Sequence, residues 1–258
     1  MMSDCLTVSR DHENTVVRVQ LNRPDRGNAF SAGLVADFSK LMADLHDDQS
    51  IRLLVISGAG RNFCTGFDLS NLDQETDDSL LARFVRVELL LQQVANAPFA
   101  TLALAHGRAM GIGADLFAAC AERWIVDDAS FVFPGTGFGL ILGTARLLGL
   151  VGRVRAARWV EGGLRVDTQL ALASGLATRK IGQSDTEAAV EELVARVSRL
   201  DGVTQRMVRD VLTQDRASSS GAAADRDLAR LVRSAARLGL KARIVRYRQR
   251  TTRQRVGS

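Results

Sequence analysis

The spacing of apolar residues changes along this chain, and each change marks an element. Thr15–Leu21 (TVVRVQL) alternates and is rich in β-branched residues, which predicts a strand. The period becomes helical after Ser31. Leu34, Val35, Phe38, Leu41, Met42 and Leu45 share one face, and Ser31 is placed to cap a helix running to about Asp47. Leu53–Ile56 and Phe99–Ala105 are short apolar runs bounded by turn residues, the pattern of strands buried on both faces. Between them, Leu80, Phe84, Val87, Leu91 and Val94 predict a helix over Ser79–Ala95, and the acidic Asp73–Asp78 before it reads as mobile. Gly113–Ala121 predicts a short helix, and Trp124–Val126 and Ser130–Phe133 predict short strands.

Beyond about Arg153 the pattern is mainly helical: Val154–Glu161, Val166–Ala173, Asp185–Arg199 and Val203–Leu212. Ser218–Gly221 reads as a polar hinge. One last helix is expected over Ala222–Val245, with Leu228, Leu231, Val232, Ala235, Leu238 and Leu240 on one face. A face so apolar at the end of a chain predicts packing on a neighbouring subunit. Strand–helix alternation followed by helices argues for an α/β fold. The expected division is a core over residues 1–200 and a helical region with an Arg-rich tail over 201–258.

Two turns carry candidate chemistry. Leu53–Ile56 breaks at Ser57-Gly58-Ala59-Gly60 and leads to Cys64-Thr65-Gly66-Phe67-Asp68. The second apolar strand leads to Ala109-Met110-Gly111-Ile112-Gly113-Ala114-Asp115. Glycine-rich turns at the ends of rigid strands present main-chain N–H groups, and two such turns suffice for an oxyanion hole.

Composition narrows the class. The 258 residues are 46% hydrophobic and 24% charged, as in a globular protein, and no apolar run approaches a membrane span. The polar N-terminus does not read as a secretory signal. Cys5, Cys64 and Cys120 have neither disulfide nor metal spacing, so a reducing cytoplasm is expected, with Cys64 and Cys120 as core filler. The net charge of +5 is concentrated after Arg226. With Tyr247 as the only aromatic residue there, this tail reads as a solvated helix face rather than a nucleic-acid surface.

LNRPDRGNAF, SGAGRNFCTGFDL, APFATLALAHGRAMGIGADL, FVFPGTGFGL and GLATRKIG occur in an order that resembles the crotonase superfamily, the enoyl-CoA hydratase/isomerase group. The resemblance covers at least residues 16–177. It implies a spiral of ββα units, a C-terminal helical region that trimerises, and binding of an acyl-CoA thioester. It implies a homotrimer or a dimer of trimers, no metal, and no cofactor beyond the coenzyme A of the substrate. The carbonyl-polarising donors carry over to the main-chain N–H groups of Phe67 and Ile112. The CoA-contacting stretch carries over to Phe67, Asp68, Leu69 and Ser70. Ser70 stands where many members have Lys, which makes Arg23, Arg26 and the tail arginines candidate substitutes. Ile112 stands where Gly is common, which adds bulk to the expected pocket.

The catalytic positions depart from the family. Its first glutamate corresponds to Asp115, one methylene shorter, and a setback of roughly 1 Å can cost about 10²-fold in rate. Asp115 reads either as the acid/base or as an acid favoured electrostatically at a helix start. The second glutamate corresponds to Gly135, which supplies neither acid nor base but stays in the expected substrate contact. No Asp or Glu lies between Asp128 and Glu161. Thr136 is too weak an acid to act alone. His106, near the second turn, reads as a strand-end residue bonded to main chain. His12 and His46 read as surface positions, Asp68 as a loop stabiliser, and Trp124 and Trp159 as core or subunit contacts. Two-glutamate hydration is therefore doubtful. One-carboxylate isomerisation, decarboxylation or thioester hydrolysis fit better, and a catalytically silent acyl-CoA-binding subunit is the alternative.

Overall fold

The computed structural model describes residues 4–216 and 222–256. The expected hinge at Ser218–Gly221 lies outside them. Six strands form one sheet in chain order: β1 (Leu6–Asp11), β2 (Val16–Leu21), β3 (Leu53–Gly58), β4 (Ala100–Met110), β5 (Glu122–Val132) and β6 (Arg179–Ile181). β1 and β2 form an antiparallel hairpin, and every later pairing is parallel. β1 has no counterpart in the sequence reading because most of it is exposed and only Leu6 is buried, so it carries almost no apolar signal.

Helices cross between the parallel strands. α1 (Ala32–Asp47) starts where Ser31 Oγ accepts the Leu34 N–H, as expected for its cap. α2 (Asp77–Ala95) starts two residues before the periodicity suggests, because Thr76 and Ser79 cap each other's main chain reciprocally. α3 (Ile112–Ala119) follows β4 directly. The two short strands expected around Asp127 are one strand, β5, in which Asp127 takes a left-handed conformation (φ 55°).

Both faces of the sheet are covered, which is why β3 and β4 read as unbroken apolar runs. Phe38, Leu54, Ile56, Leu91, Phe117 and Phe131 belong to a core beneath α1, α2 and α3. On the other face Leu53, Val55, Leu102 and Trp124 meet Val190 and Leu193 of α7 (Thr186–Val197). Trp159, Cys64 and Cys120 are core residues, as expected.

The remaining helices are α4 (Thr144–Val151), α5 (Arg153–Glu161), α6 (Thr168–Ser174), α8 (Gly202–Arg216), α9 (Ala222–Ala235) and α10 (Leu240–Val256). The single last helix expected from Ala222 is thus two, broken at Gly239 (φ 75°). Leu238, placed on the apolar face by periodicity, is 97% exposed at this break. Much of the rest of that face is covered within the chain. Leu231, Ala235, Leu240 and Ile244 pack within the chain on Leu72, Leu80, Phe84 and Leu140. Asp73–Asp78 is likewise an anchor rather than a mobile loop. Asp77 accepts the Gly239 and Lys241 N–H groups at 2.8 Å each, and Lys241 Nζ donates to the Asp73 and Glu75 carbonyls. The large apolar residues left exposed on α8 are Val203, Met207, Val208, Val211 and Leu212.

Candidate active site

The two glycine turns meet. The loop after β3 is laced onto β4 by Phe63 N–H to the His106 carbonyl, Cys64 N–H to that of Arg108 and Met110 N–H to that of Cys64. Gly66 (φ 105°) packs so closely that a Cβ there would lie 2.9 Å from the Met110 carbonyl oxygen. A side chain at Gly113 would collide with the Cys64 carbonyl. Glycine is required at both positions because the two main chains touch. Phe67 and Ile112, the residues after Gly66 and Gly111, both line one cavity of about 450 Å³. Neither main-chain N–H donates to a protein acceptor among the described residues. Two main-chain donors without a protein acceptor, on residues that line one cavity, are what an oxyanion hole requires. Phe67 is held by stacking on Phe84 at 4.4 Å and by the Arg83 guanidinium 4.1 Å above its ring. The Ile112 side chain is buried in the main core while also forming part of the cavity wall.

The cavity is mostly apolar, and α10 covers part of it with Ile244, Tyr247, Arg248 and Thr251. Asp115 is the only carboxyl in its lining among the described residues. It stands in the first turn of α3 and is only 5% exposed. No side-chain hydrogen bond holds its carboxyl among the described residues. Burial pushes its pKa up to about 8. Arg146 opposes that shift and Glu88 adds to it. Asp115 therefore carries its proton at neutral pH. Gly143, at the start of α4, lies so close that a Cβ there would run into Asp115 Oδ1.

Leu69 and Gly135 also line the cavity, whereas Asp68 and Ser70 are not among its lining residues. Asp68 is bound to Arg23 at 2.8 Å and accepts the Ser70 N–H at 3.0 Å. Burial raises its pKa, but the Ser70 bonds and Arg23 together hold it below the usual carboxylate range. Arg23 is thereby engaged between its own loop and the loop after β3, and of the tail arginines Arg248 reaches the cavity. The Thr136 hydroxyl donates to the Val160 carbonyl. His106 Nε2 lies 2.8 Å from the Gly60 carbonyl oxygen, the main-chain role expected of it. His12 is exposed beside Glu191, while His46 is half-buried against the Gln93 carbonyl.

Sequence reasoning missed Glu88 and Arg146. Glu88, 1% exposed on α2, binds Arg146 of α4 through two bonds of 2.8 Å. The available signal was a lone Glu between Val87 and Leu90 on an apolar helix face.

Residues 11–238 match the family described as enoyl-CoA hydratase/isomerase. The chain belongs to the enoyl-CoA hydratase/isomerase family. A crystal structure from Bordetella parapertussis, titled as that type of protein, superposes with a TM-score of 0.88 at 38% identity, covering 95% of this chain and 98% of the other. A Mycobacterium bovis protein named as an enoyl-CoA hydratase, echA6, is 30% identical over 217 residues, 83% of this chain and 85% of its own. Mouse ethylmalonyl-CoA decarboxylase is 29% identical over 184 residues, 70% of this chain and 57% of its own length. The fold is the α/β crotonase fold of these structures, and the protein is a crotonase-family acyl-CoA enzyme.

Proposed function

We propose that this family member is a one-acid lyase that decarboxylates a CoA thioester bearing a carboxylate on its α-carbon, a 2-alkylmalonyl-type substrate. One observation carries the reading. Among the described residues the cavity holds a single carboxyl, Asp115, which is protonated at neutral pH, and the second catalytic position is Gly135. Hydration and double-bond migration both begin with a base. A protonated acid serves a reaction in which the carbanion arises another way.

In decarboxylation the bond between the α-carbon and the carboxylate breaks. Its electron pair enters the thioester to form an enolate, and CO2 leaves. The Phe67 and Ile112 N–H groups hold the enolate oxygen. Asp115 delivers its proton to the α-carbon, and water restores that proton afterwards. The apolar wall of Phe67, Met110, Ile112, Phe133 and Leu142 disfavours the substrate carboxylate and accommodates neutral CO2. Similarity to the mouse decarboxylase supports the same choice. Arg108 and Arg248 line the cavity without an ion-pair partner among the described residues, and we assign them to the CoA phosphates.

The test is incubation with methylmalonyl-CoA and ethylmalonyl-CoA in D2O, against crotonyl-CoA as hydratase substrate. Release of CO2 with one deuteron gained at the α-carbon is expected. Hydration of crotonyl-CoA with no CO2 from either malonyl thioester would refute the reading. Gly135 also favours a silent acyl-CoA-binding subunit, which the same assay identifies as calorimetric binding without turnover. The exposed apolar face of α8 supports self-association, as a homotrimer or dimer of trimers, measurable by light scattering after size-exclusion chromatography. Three free cysteines fit a cytoplasmic setting.

A further inference from the structure

The buried Glu88–Arg146 pair is not part of the cavity lining, yet several bonds hold it in place. Glu88 Oε1 and Oε2 each accept one Arg146 Nη at 2.8 Å, and Gln92 Nε2 adds a bond to Glu88 Oε1 at 3.0 Å. Gln92 Nε2 also bonds the Ala224 carbonyl of α9. The guanidinium is thus fixed from α2 through a planar fork. The Nε–H donor of Arg146 is buried without a partner among the described residues. Such an orphan is expensive unless an acceptor arrives at some stage of the working cycle. Arg146 stands three residues after Gly143, against which the Asp115 carboxyl rests. Asp115 in turn has no hydrogen bond of its own among the described residues.

We propose that Glu88 and Arg146 form a positioning unit for proton transfer at Asp115. Glu88 fixes and neutralises the guanidinium in the resting protein, and Arg146 stabilises the charge that appears on Asp115 once its proton has moved to substrate. The step balances simply. The Asp115 O–H bond breaks, a C–H bond forms on the substrate enolate, and the carboxylate left behind is stabilised by the Arg146 charge already in place. Nothing is oxidised or reduced, and cavity water later returns the proton.

The charges facing this centre come from several elements: Glu88 on α2, Arg146 on α4, Asp227 on α9 acting on Arg146, and Arg108 and Arg248 in the cavity wall. Among them, Arg146 favours Asp115 ionisation and Glu88 opposes it, the former more strongly. The unit rests on the reading of Asp115 as proton donor.

The test is the pH–rate profile of the full chain, followed by release of CO2 from ethylmalonyl-CoA. Glu88→Gln leaves the cation unneutralised and is expected to move the alkaline limb down by about one pH unit with KM unchanged. Glu88→Gln with Arg146→Gln removes both charges. That pair is expected to move the limb above its wild-type position while lowering the plateau kcat about tenfold or more. Arg146→Lys should restore most of that plateau. A merely structural pair would not move the limb in opposite directions. If Glu88→Gln alone does not fold, the double variant carries the test, since it buries no lone charge. A limb that vanishes in Asp115→Asn yet stands still in the pair variants overturns this proposal alone. A limb that survives Asp115→Asn overturns the Asp115 reading and this proposal with it.

Discussion

Asp115→Asn should destroy activity and stabilise the fold, and the size of the second effect follows from burial. Asp115 holds its proton to about pH 8 in the fold, against an ordinary carboxyl value of 3.8. Below pH 3.8 both folded and unfolded chains are protonated there, and the group exerts no pH-dependent effect. Between 3.8 and about 8 the unfolded chain releases a proton that the fold retains. Stability then falls by up to about 1.4 kcal/mol per pH unit, and the loss levels off above 8. Asparagine does not titrate. The variant should therefore gain on the wild type by up to about 4 kcal/mol at pH 7 and by almost nothing at pH 4. Any misfit of the amide subtracts a constant amount, so the slope is the diagnostic. Urea unfolding of both proteins at one protein concentration, from pH 4.5 to 9, measures it. Decarboxylation at pH 7 should fall by about 10²- to 10⁴-fold. Parallel stability curves across this range would refute the reasoning, because they would mean that Asp115 is ionised in the fold.

Wild-type decarboxylation should decline as pH rises through about 8, where Asp115 loses the proton it must donate, and a pH series of kcat checks this. Gly143→Ala combines a left-handed main chain (φ 64°) with a collision at Asp115, so about 1–3 kcal/mol of stability and most activity should be lost, read by thermal unfolding and initial rates. Arg108→Ala and Arg248→Ala should each raise KM for the thioester about tenfold at constant kcat, and an unchanged KM would remove them from the phosphate site. Asp77→Ala should cost about 1–3 kcal/mol by orphaning the Gly239 and Lys241 N–H groups. The Lys241 N–H bond foremost holds the Asp77 pKa below its ordinary value, so this contribution is present at neutral pH and lost as acid protonates Asp77.

The parts that were legible in the sequence are those governed by near neighbours. Helical spacing located α1 and α2 because each buries one face, and Ser31 marks the start of α1 through a bond only three residues long. Unbroken apolar runs located β3 and β4 because both faces of the sheet are covered. The misread parts depend on distant partners. Asp73–Asp78 is acidic and polar, yet it is fixed by residues 239 and 241. Leu238 keeps the helical period, yet Gly239 turns the chain just after it and leaves it in solvent. Both outcomes depend on where α10 docks, which local pattern does not encode.

The candidate site divides the same way. Gly66, Gly111 and Gly113 announce two turns, because glycine is the residue that tolerates such conformations and such close approach. By itself the sequence thus determined the α/β frame, the two donor turns, a single carboxyl at residue 115 and the absence of a side chain at 135. Only the tertiary structure brought Phe67 and Ile112 to one cavity, covered part of it with α10, and paired Glu88 with Arg146 where both act on Asp115. The physical reason is that a proton's affinity depends on everything within several ångströms. Residues 88, 115 and 146 are far apart along the chain, and only folding makes them neighbours.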